Sequence, residues 1–237
     1  MTLPILSCGK IEIDERGKQQ WRMWKDNAEL IADAFALFID LKKDRVLDPT
    51  YGAGNFYKIA RPKRLVTHDI RIDGFDARSM TVPVLDSLGF DTDKRKCPYR
   101  FGSFDAIVLD FPFVSKGGRD TSTIPGMDDA YGMYDAPRSP QQVQDMIDDG
   151  IHSSRLLLKH DGYLFVKTMN YVSSGKIFDS IRKTKERAES RDLSLVGEFV
   201  FCNGLPGPQP KTNLDGSQRT QVHGRNNWSS LLVFRKD

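Results

Sequence analysis

The sequence predicts an α/β fold built on a doubly wound, mostly parallel sheet that closes in an antiparallel C-terminal hairpin. Three observations predict it. Short apolar runs alternate along the chain with helical or irregular segments, each run is nearly continuous in apolar residues, and the last two runs follow one another with no helix between them. Continuous apolar runs belong to strands covered on both faces, which is where crossover helices place parallel strands. At 237 residues, 39% hydrophobic and 28% charged, the chain is long enough for one good core and short for two, so a single domain over 1–237 is expected.

The elements follow in order. From Asp26, DNAELIADAFALFIDLKK sets Leu30, Ile31, Ala34, Phe35, Leu37 and Phe38 at the spacing of an amphipathic helix, so residues 1–43 read as a helical lead-in to the first strand. RVLD reads as a short buried strand that runs into PTYGAG, KRLVTHDI as a second strand ending at Asp69, and SFDAIVLD as a third ending at Asp110. Residues 111–138, rich in Gly, Asp, Ser and Thr, are longer than most connections and read as a lid or recognition loop. Ser139-Pro140-Gln141-Gln142 has the form of a helix start: Ser to cap, Pro at the first helical position, Gln to complete a capping box. Val143, Met146, Ile147 and Ile151 share one face of that helix, which leads through LLLKHDG, with an Asp-Gly turn, into the strand YLFVKT. A helix from about Lys176 to Glu189, the strand LSLVGEFVF, a polar loop over 203–227 and the strand SSLLVFRK complete the chain.

Composition excludes several classes. No run of about 18 apolar residues exists to span a bilayer, and the opening MTLPILSCGK lacks the basic and apolar regions of a secretory signal. Cys8, Cys97 and Cys202 are odd in number and far apart, without the spacing of a zinc site or disulfide framework, so a reducing, cytoplasmic setting is expected. The net charge of +3 diagnoses nothing by itself, but the basic excess lies late, with 14 basic and 8 acidic residues from Arg155 onward. Part of that excess lies in IRKTKERAES, which also reads as the solvated face of a helix.

The chemistry concentrates at strand ends. Asp48-Pro49-Thr50-Tyr51-Gly52-Ala53-Gly54 directly follows a strand, where open α/β sheets bind ligands, and Gly52 and Gly54 would let the backbone approach one closely. Asp69, at the next strand end, is placed to accept hydrogen bonds from ribose hydroxyls. Position 57 is Tyr, not the third Gly of the dinucleotide fingerprint, and no Gly-Lys-Ser/Thr follows, which argues against NAD, FAD and nucleoside triphosphates.

VLDPTYGAGNFY resembles the first motif of S-adenosyl-L-methionine-dependent methyltransferases, and Asp110-Phe111-Pro112-Phe113 resembles the Asp/Asn-Pro-Pro-Tyr/Phe signature of the enzymes that methylate adenine N6 or cytosine N4. With LFVKTMNYVSSGK and QVHGRNNWSSLLVF, these segments look like a group of small bacterial and phage DNA methyltransferase-like proteins without a separate target-recognition domain. The resemblance covers nearly the whole chain and implies a class I methyltransferase (Rossmann-like) sheet of seven strands. It implies S-adenosyl-L-methionine as cofactor, held by Asp48, Pro49, Thr50, Tyr51, Gly52, Gly54 and Asp69. Asp76 resembles the acidic residue that meets the cofactor's adenine amine, with Ala77 beside it; a surface turn is the other reading of Asp76.

The catalytic tetrad has its own physical logic. An exocyclic amine is a poor nucleophile because its lone pair is delocalised into the ring. Two acceptors on its hydrogens favour a pyramidal nitrogen and aim the lone pair at an electrophile. Those acceptors are assigned to the Asp110 carboxylate and the Phe111 backbone carbonyl, followed by Pro112, with Phe113 stacked on the base; no metal is required. Phe111 stands where the family has its first proline, so the backbone restraint of Pro-Pro is lost while the carbonyl remains. As an isolated tetrapeptide it also reads as a strand end with two core phenylalanines.

His68 reads as a packed or hydrogen-bonded side chain. Lys167 is placed either to bind a phosphate or to pair with a carboxylate. The 203–227 loop should emerge on the ligand side, and its Lys211, Arg219, His223 and Arg225, with Gln209, Gln218, Gln221, Asn226 and Asn227, suit phosphates and adenine edges. Trp21, Arg22 and Trp24 form a cluster that either stacks on bases or lids the cofactor.

The expectation is therefore methyl transfer to a nucleic-acid base, adenine N6 in DNA first and RNA second, on single-stranded or distorted substrate. A silent cofactor- and nucleic-acid-binding module and an enzyme acting on a small-molecule or protein amine are the rivals. A homodimer or a partner subunit is compatible with the missing recognition domain.

Overall fold

Alternation along the strands decides which side chain faces which layer. In the computed structural model, which describes residues 4–69, 99–111, 139–173, 176–202, 217 and 228–237, seven strands form one sheet. These are β1 (Ile5–Ser7), β4 (Arg45–Asp48), β5 (Arg64–Thr67), β6 (Phe104–Leu109), β7 (Leu158–Thr168), β10 (Leu193–Cys202) and β11 (Trp228–Lys236). Their spatial order is β1-β10-β11-β7-β6-β4-β5. All contacts are parallel except the two made by β11, which is antiparallel to both β7 and β10. The doubly wound, mostly parallel seven-stranded sheet with an antiparallel C-terminal hairpin is thus the fold of this chain. The carboxyl ends of β4, β5, β6, β7 and β10 lie along one edge, where β11 begins.

Residues two apart share a face of a strand. Ala106 and Val108, Phe165, and Leu231 and Val233 pack with α1 (Asn27–Phe38), whose buried side chains include Leu30, Ile31, Ala34 and Phe35. The rings of Phe35 and Phe165 meet edge to face at 5.2 Å. Ile107 and Leu109, Leu164 and Val166, and Leu232 and Phe234 face the other way, against α2 (Pro140–Leu157) and α3 (Ser180–Glu189). Each fully buried side chain of this size contributes about 1.5–3 kcal/mol, so helix cover on both faces is what lets these uninterrupted apolar strands exist.

The helix starts are chemically specified. Asp26 caps α1, its carboxylate accepting from the Glu29 amide at 3.0 Å, and Ser139 caps α2, its hydroxyl accepting from the Gln142 amide at 3.2 Å with Pro140 following.

Three local expectations are corrected. The lead-in is not wholly helical: β1 pairs in parallel with β10, and β2 (Lys10–Ile13) pairs with β3 (Gln19–Arg22) before α1 begins. The period-two alternation of Ile11 and Ile13 marks this hairpin, and its turn is held by the Asp14 carboxylate, which accepts from the Arg16 and Lys18 amides at 2.9 Å each. The helix expected from Lys176 starts at Ser180 instead, because the Asp179 carboxylate caps it by accepting from the Arg182 amide at 3.2 Å. Upstream of that cap, β9 (Lys176–Phe178) pairs with β8 (Tyr171–Ser173). Finally, Asp161 and Gly162 form no separate turn but an irregularity within β7, where Asp161 has φ of 60° and the pairing with β6 shifts register.

The lid segment beyond Phe111, Asp76 and Ala77, and the 203–227 loop apart from Ser217 lie outside the described residues. Among the described residues, no helix is long and apolar enough to cross a membrane.

Candidate active site

Two carboxylates stand at neighbouring strand ends, and one threonine joins them. Asp48 closes β4 and is 2% exposed. Its Oδ1 accepts from the Thr50 amide at 2.8 Å and from the Thr50 hydroxyl at 3.0 Å, and its Oδ2 accepts from the Tyr57 hydroxyl at 2.7 Å. Thr50 Oγ1, having given its hydrogen to Asp48, accepts from the amide of Asp110 at 2.9 Å. The loop after β4 is thereby tied to the end of β6 across 60 residues of sequence.

The rest of the loop after Pro49 is fixed by backbone and ring contacts. The Tyr51 amide donates to the His68 carbonyl at 3.1 Å and the Gly54 amide to the Tyr51 carbonyl at 2.9 Å. Gly52, at φ +55°, sends its amide to Asp69 Oδ2 at 2.8 Å, so Asp69 braces the glycine loop from the end of the neighbouring strand. Gly54 has φ +70°, and a Cβ there would lie 2.4 Å from the Tyr51 hydroxyl oxygen. Close approach at Gly54 is therefore made by Tyr51, whose ring stacks on Tyr57 at 5.6 Å and whose hydroxyl accepts from Arg61 at 2.7 Å.

The electrostatics of the two acids differ. Burial pushes the Asp48 carboxyl up to about 7 against the pull of its hydrogen bonds from Tyr57 and Thr50, and the Asp110 charge pushes it in the same direction. Burial also raises Asp110, and the Lys167 ammonium opposes that rise. Lys167, 5% exposed near the end of β7, lies 5.6 Å over the Phe56 ring and 5.8 Å over the Phe201 ring. Asp110 Oδ1 is buried and has no hydrogen-bond partner. An acceptor left in that state is costly in a folded core unless something binds it.

Phe111 follows Asp110 with its ring inside the core, in the same cluster as Val143, Ile147 and Ile151 of α2. Pro112, Phe113, Arg219, His223 and Arg225 lie outside the described residues. His68 is packed as expected, its Nε2 hydrogen-bonded to the Tyr99 hydroxyl. The aromatic cluster near the N-terminus separates: Trp24 is 4% exposed, donates its indole N–H to Asp33 at 2.7 Å and packs on Phe199, so it neither stacks on bases nor lids a cofactor. Arg22 is engaged by Glu29 at 2.7 and 2.8 Å and by Glu12 at 2.5 Å, while Trp21 is 58% exposed on the hairpin.

Sequence reasoning used Tyr57 only to exclude a dinucleotide fingerprint and missed that its hydroxyl holds Asp48. A tyrosine one turn beyond the second glycine was the available signal. It also passed over Gly150, which no apolar periodicity marks.

No family model and no curated protein matches the sequence. Among solved structures, the chain is similar to a provisionally assigned DNA modification methylase from Thermus thermophilus complexed with S-adenosyl-L-methionine, at 12% identity over 58% of this chain and 47% of that one, with a TM-score of 0.36. It is similar to a provisionally assigned hemolysin from Lactococcus lactis at 14% identity, 90% and 89% coverage and a TM-score of 0.46. It is also similar to the PvuII cytosine-N4-specific DNA methyltransferase at 13% identity, 59% and 44% coverage and a TM-score of 0.40. The chain spans about half the length of the first of these.

Proposed function

We propose that this chain transfers a methyl group from S-adenosyl-L-methionine to an exocyclic amine of a nucleic-acid base, adenine N6 in DNA before adenine in RNA. The observation that carries the proposal is the buried, unpartnered Oδ1 of Asp110 at a strand's carboxyl end, tied through Thr50 to a glycine-containing loop. The donor set fits the cofactor: Asp69 suits ribose hydroxyls beside the Gly52 amide it braces, and Asp48 to Gly54 shape the loop that would hold the sulfonium end. Asp76 and Ala77 are assigned to the adenine ring of the cofactor on the motif alone.

When bound, the cofactor supplies an electrophilic methyl group. The chain's own part is to hold and orient the amine. Asp110 Oδ1 accepts one amine hydrogen and the Phe111 carbonyl a second, which turns the nitrogen lone pair toward the methyl group; such an oriented acceptor is worth roughly 10²–10³ in rate. Asp110 must be ionised to do this, and the Lys167 ammonium favours that form against burial. Phe113 is assigned to stacking on the base, and Arg219, His223 and Arg225 to phosphates or base edges.

The test is transfer of a labelled methyl group to a panel of single-stranded and duplex DNA and RNA, run where calorimetry shows the cofactor bound. Transfer to adenine is expected. No transfer to any polymer overturns the proposal in favour of a silent binding module or a smaller amine substrate.

A further inference from the structure

A carbonyl that must accept an amine hydrogen needs a fixed backbone, and a proline supplies one through its ring. Phe111 lacks that ring, so its own φ is not locked and only Pro112 after it biases it toward extended backbone. The Phe111 side chain instead enters the core, 3% exposed, and meets the middle of α2 at Gly150. A Cβ on Gly150 would lie 2.6 Å from Phe111 Cε2, 2.9 Å from Phe111 Cζ and 3.1 Å from Leu109 Cδ1. Gly150 is not among the residues of positive φ, so its conformational freedom is unused, and glycine is a poor residue for a helix interior. What it provides is room.

We infer that Gly150 and Phe111 form a notch and peg that fixes the Asp110–Phe111 backbone in place of the missing proline, which makes both of them positioning residues for methyl transfer. The segment is held from two sides. On one, the peg is seated in α2; on the other, Thr50 Oγ1 accepts from the Asp110 amide at 2.9 Å. A clash that pushed the Phe111 ring far enough to shift its Cα would carry the attached carbonyl with it, and misplacement on the scale of an ångström is enough to cost orders of magnitude in rate. The inference rests on the methyl-transfer reading above.

The test is a swap series in the full chain: the unaltered protein, Gly150→Ala, Phe111→Leu and the double variant. Leucine lacks the ring atoms that a Cβ at position 150 would strike. Gly150→Ala and Phe111→Leu are each expected to lower kcat by at least about tenfold per molecule of cofactor-bound protein, with the calorimetric Kd for S-adenosyl-L-methionine held within about twofold. The double variant is expected to regain most of the lost rate, and it keeps the test valid if Gly150→Ala alone does not fold. Losses that simply multiply in the double variant, or variants that lose thermal stability while the folded, cofactor-bound fraction turns over normally, overturn the inference. Absence of transfer by the unaltered protein overturns the methyl-transfer reading itself, an outcome separate from a failed rescue in an active protein.

Discussion

Asp48 and Asp110 are two acids at adjacent strand ends with opposite surroundings, the first buried and the second half-buried with its Oδ1 enclosed. Asp48 receives three hydrogen bonds through its two oxygens, whereas Asp110 Oδ1 receives none. Both are raised by burial, so desolvation does not distinguish them. The difference is satisfaction: the Asp48 carboxylate is bonded by the loop it organises, and the Asp110 carboxylate keeps one enclosed oxygen unbonded. Thr50 belongs to both, donating to the first and accepting from the amide of the second.

The comparison breaks most visibly on truncation. Asp48→Ala strands the Thr50 amide, the Thr50 hydroxyl and the Tyr57 hydroxyl, and is expected to cost about 3 kcal/mol in urea unfolding. The pH profile comes next. With the Asp48 carboxyl at about 7 in the folded chain and 3.8 as its ordinary value, the folded state holds more protons than the unfolded state between those limits. Stability from this group is therefore full below about pH 4 and is lost as pH rises through about 7, and the raised Asp110 acts in the same direction. A fall in stability across that window is expected in thermal melts, flattened in Asp48→Asn.

Thr50→Val removes the shared hydroxyl at constant shape and should cost about 1–2 kcal/mol, with Thr50→Ser restoring most of it. The smallest effect is expected at Asp110. Because Oδ1 has no partner to lose, Asp110→Asn should leave stability unchanged or raise it by up to about 1 kcal/mol. A large destabilisation there would erase the contrast between the two acids.

Much of this was legible because a few residue patterns act locally. RVLD and FDAIVL are short apolar runs that only a covered parallel strand accommodates, and Asp26 and Ser139 cap helices through bonds to residues three positions on. The strand β1 was not legible, since Ile5 to Ser7 is too short to show a period and gains its place by pairing with β10, near the other end of the chain. The pairing of Lys176–Phe178 with Tyr171–Ser173 was masked by the helical composition that follows. In the site, Asp48, Asp69 and Asp110 were readable from their positions at strand ends. The contacts of Thr50 with Asp110 and of Gly150 with Phe111 are tertiary: each depends on which distant neighbour is met in the fold, and no spacing encodes that.

The contrast between the two acids is tested most directly by single-turnover transfer of labelled methyl to adenine-containing single-stranded DNA, with the unaltered protein and Asp110→Asn compared at saturating S-adenosyl-L-methionine and calorimetry run on both. The account predicts a rate loss of at least about 100-fold in Asp110→Asn with cofactor affinity and thermal stability retained. Equal rates in the two proteins, or a loss of cofactor binding that accounts for the whole effect, would contradict it.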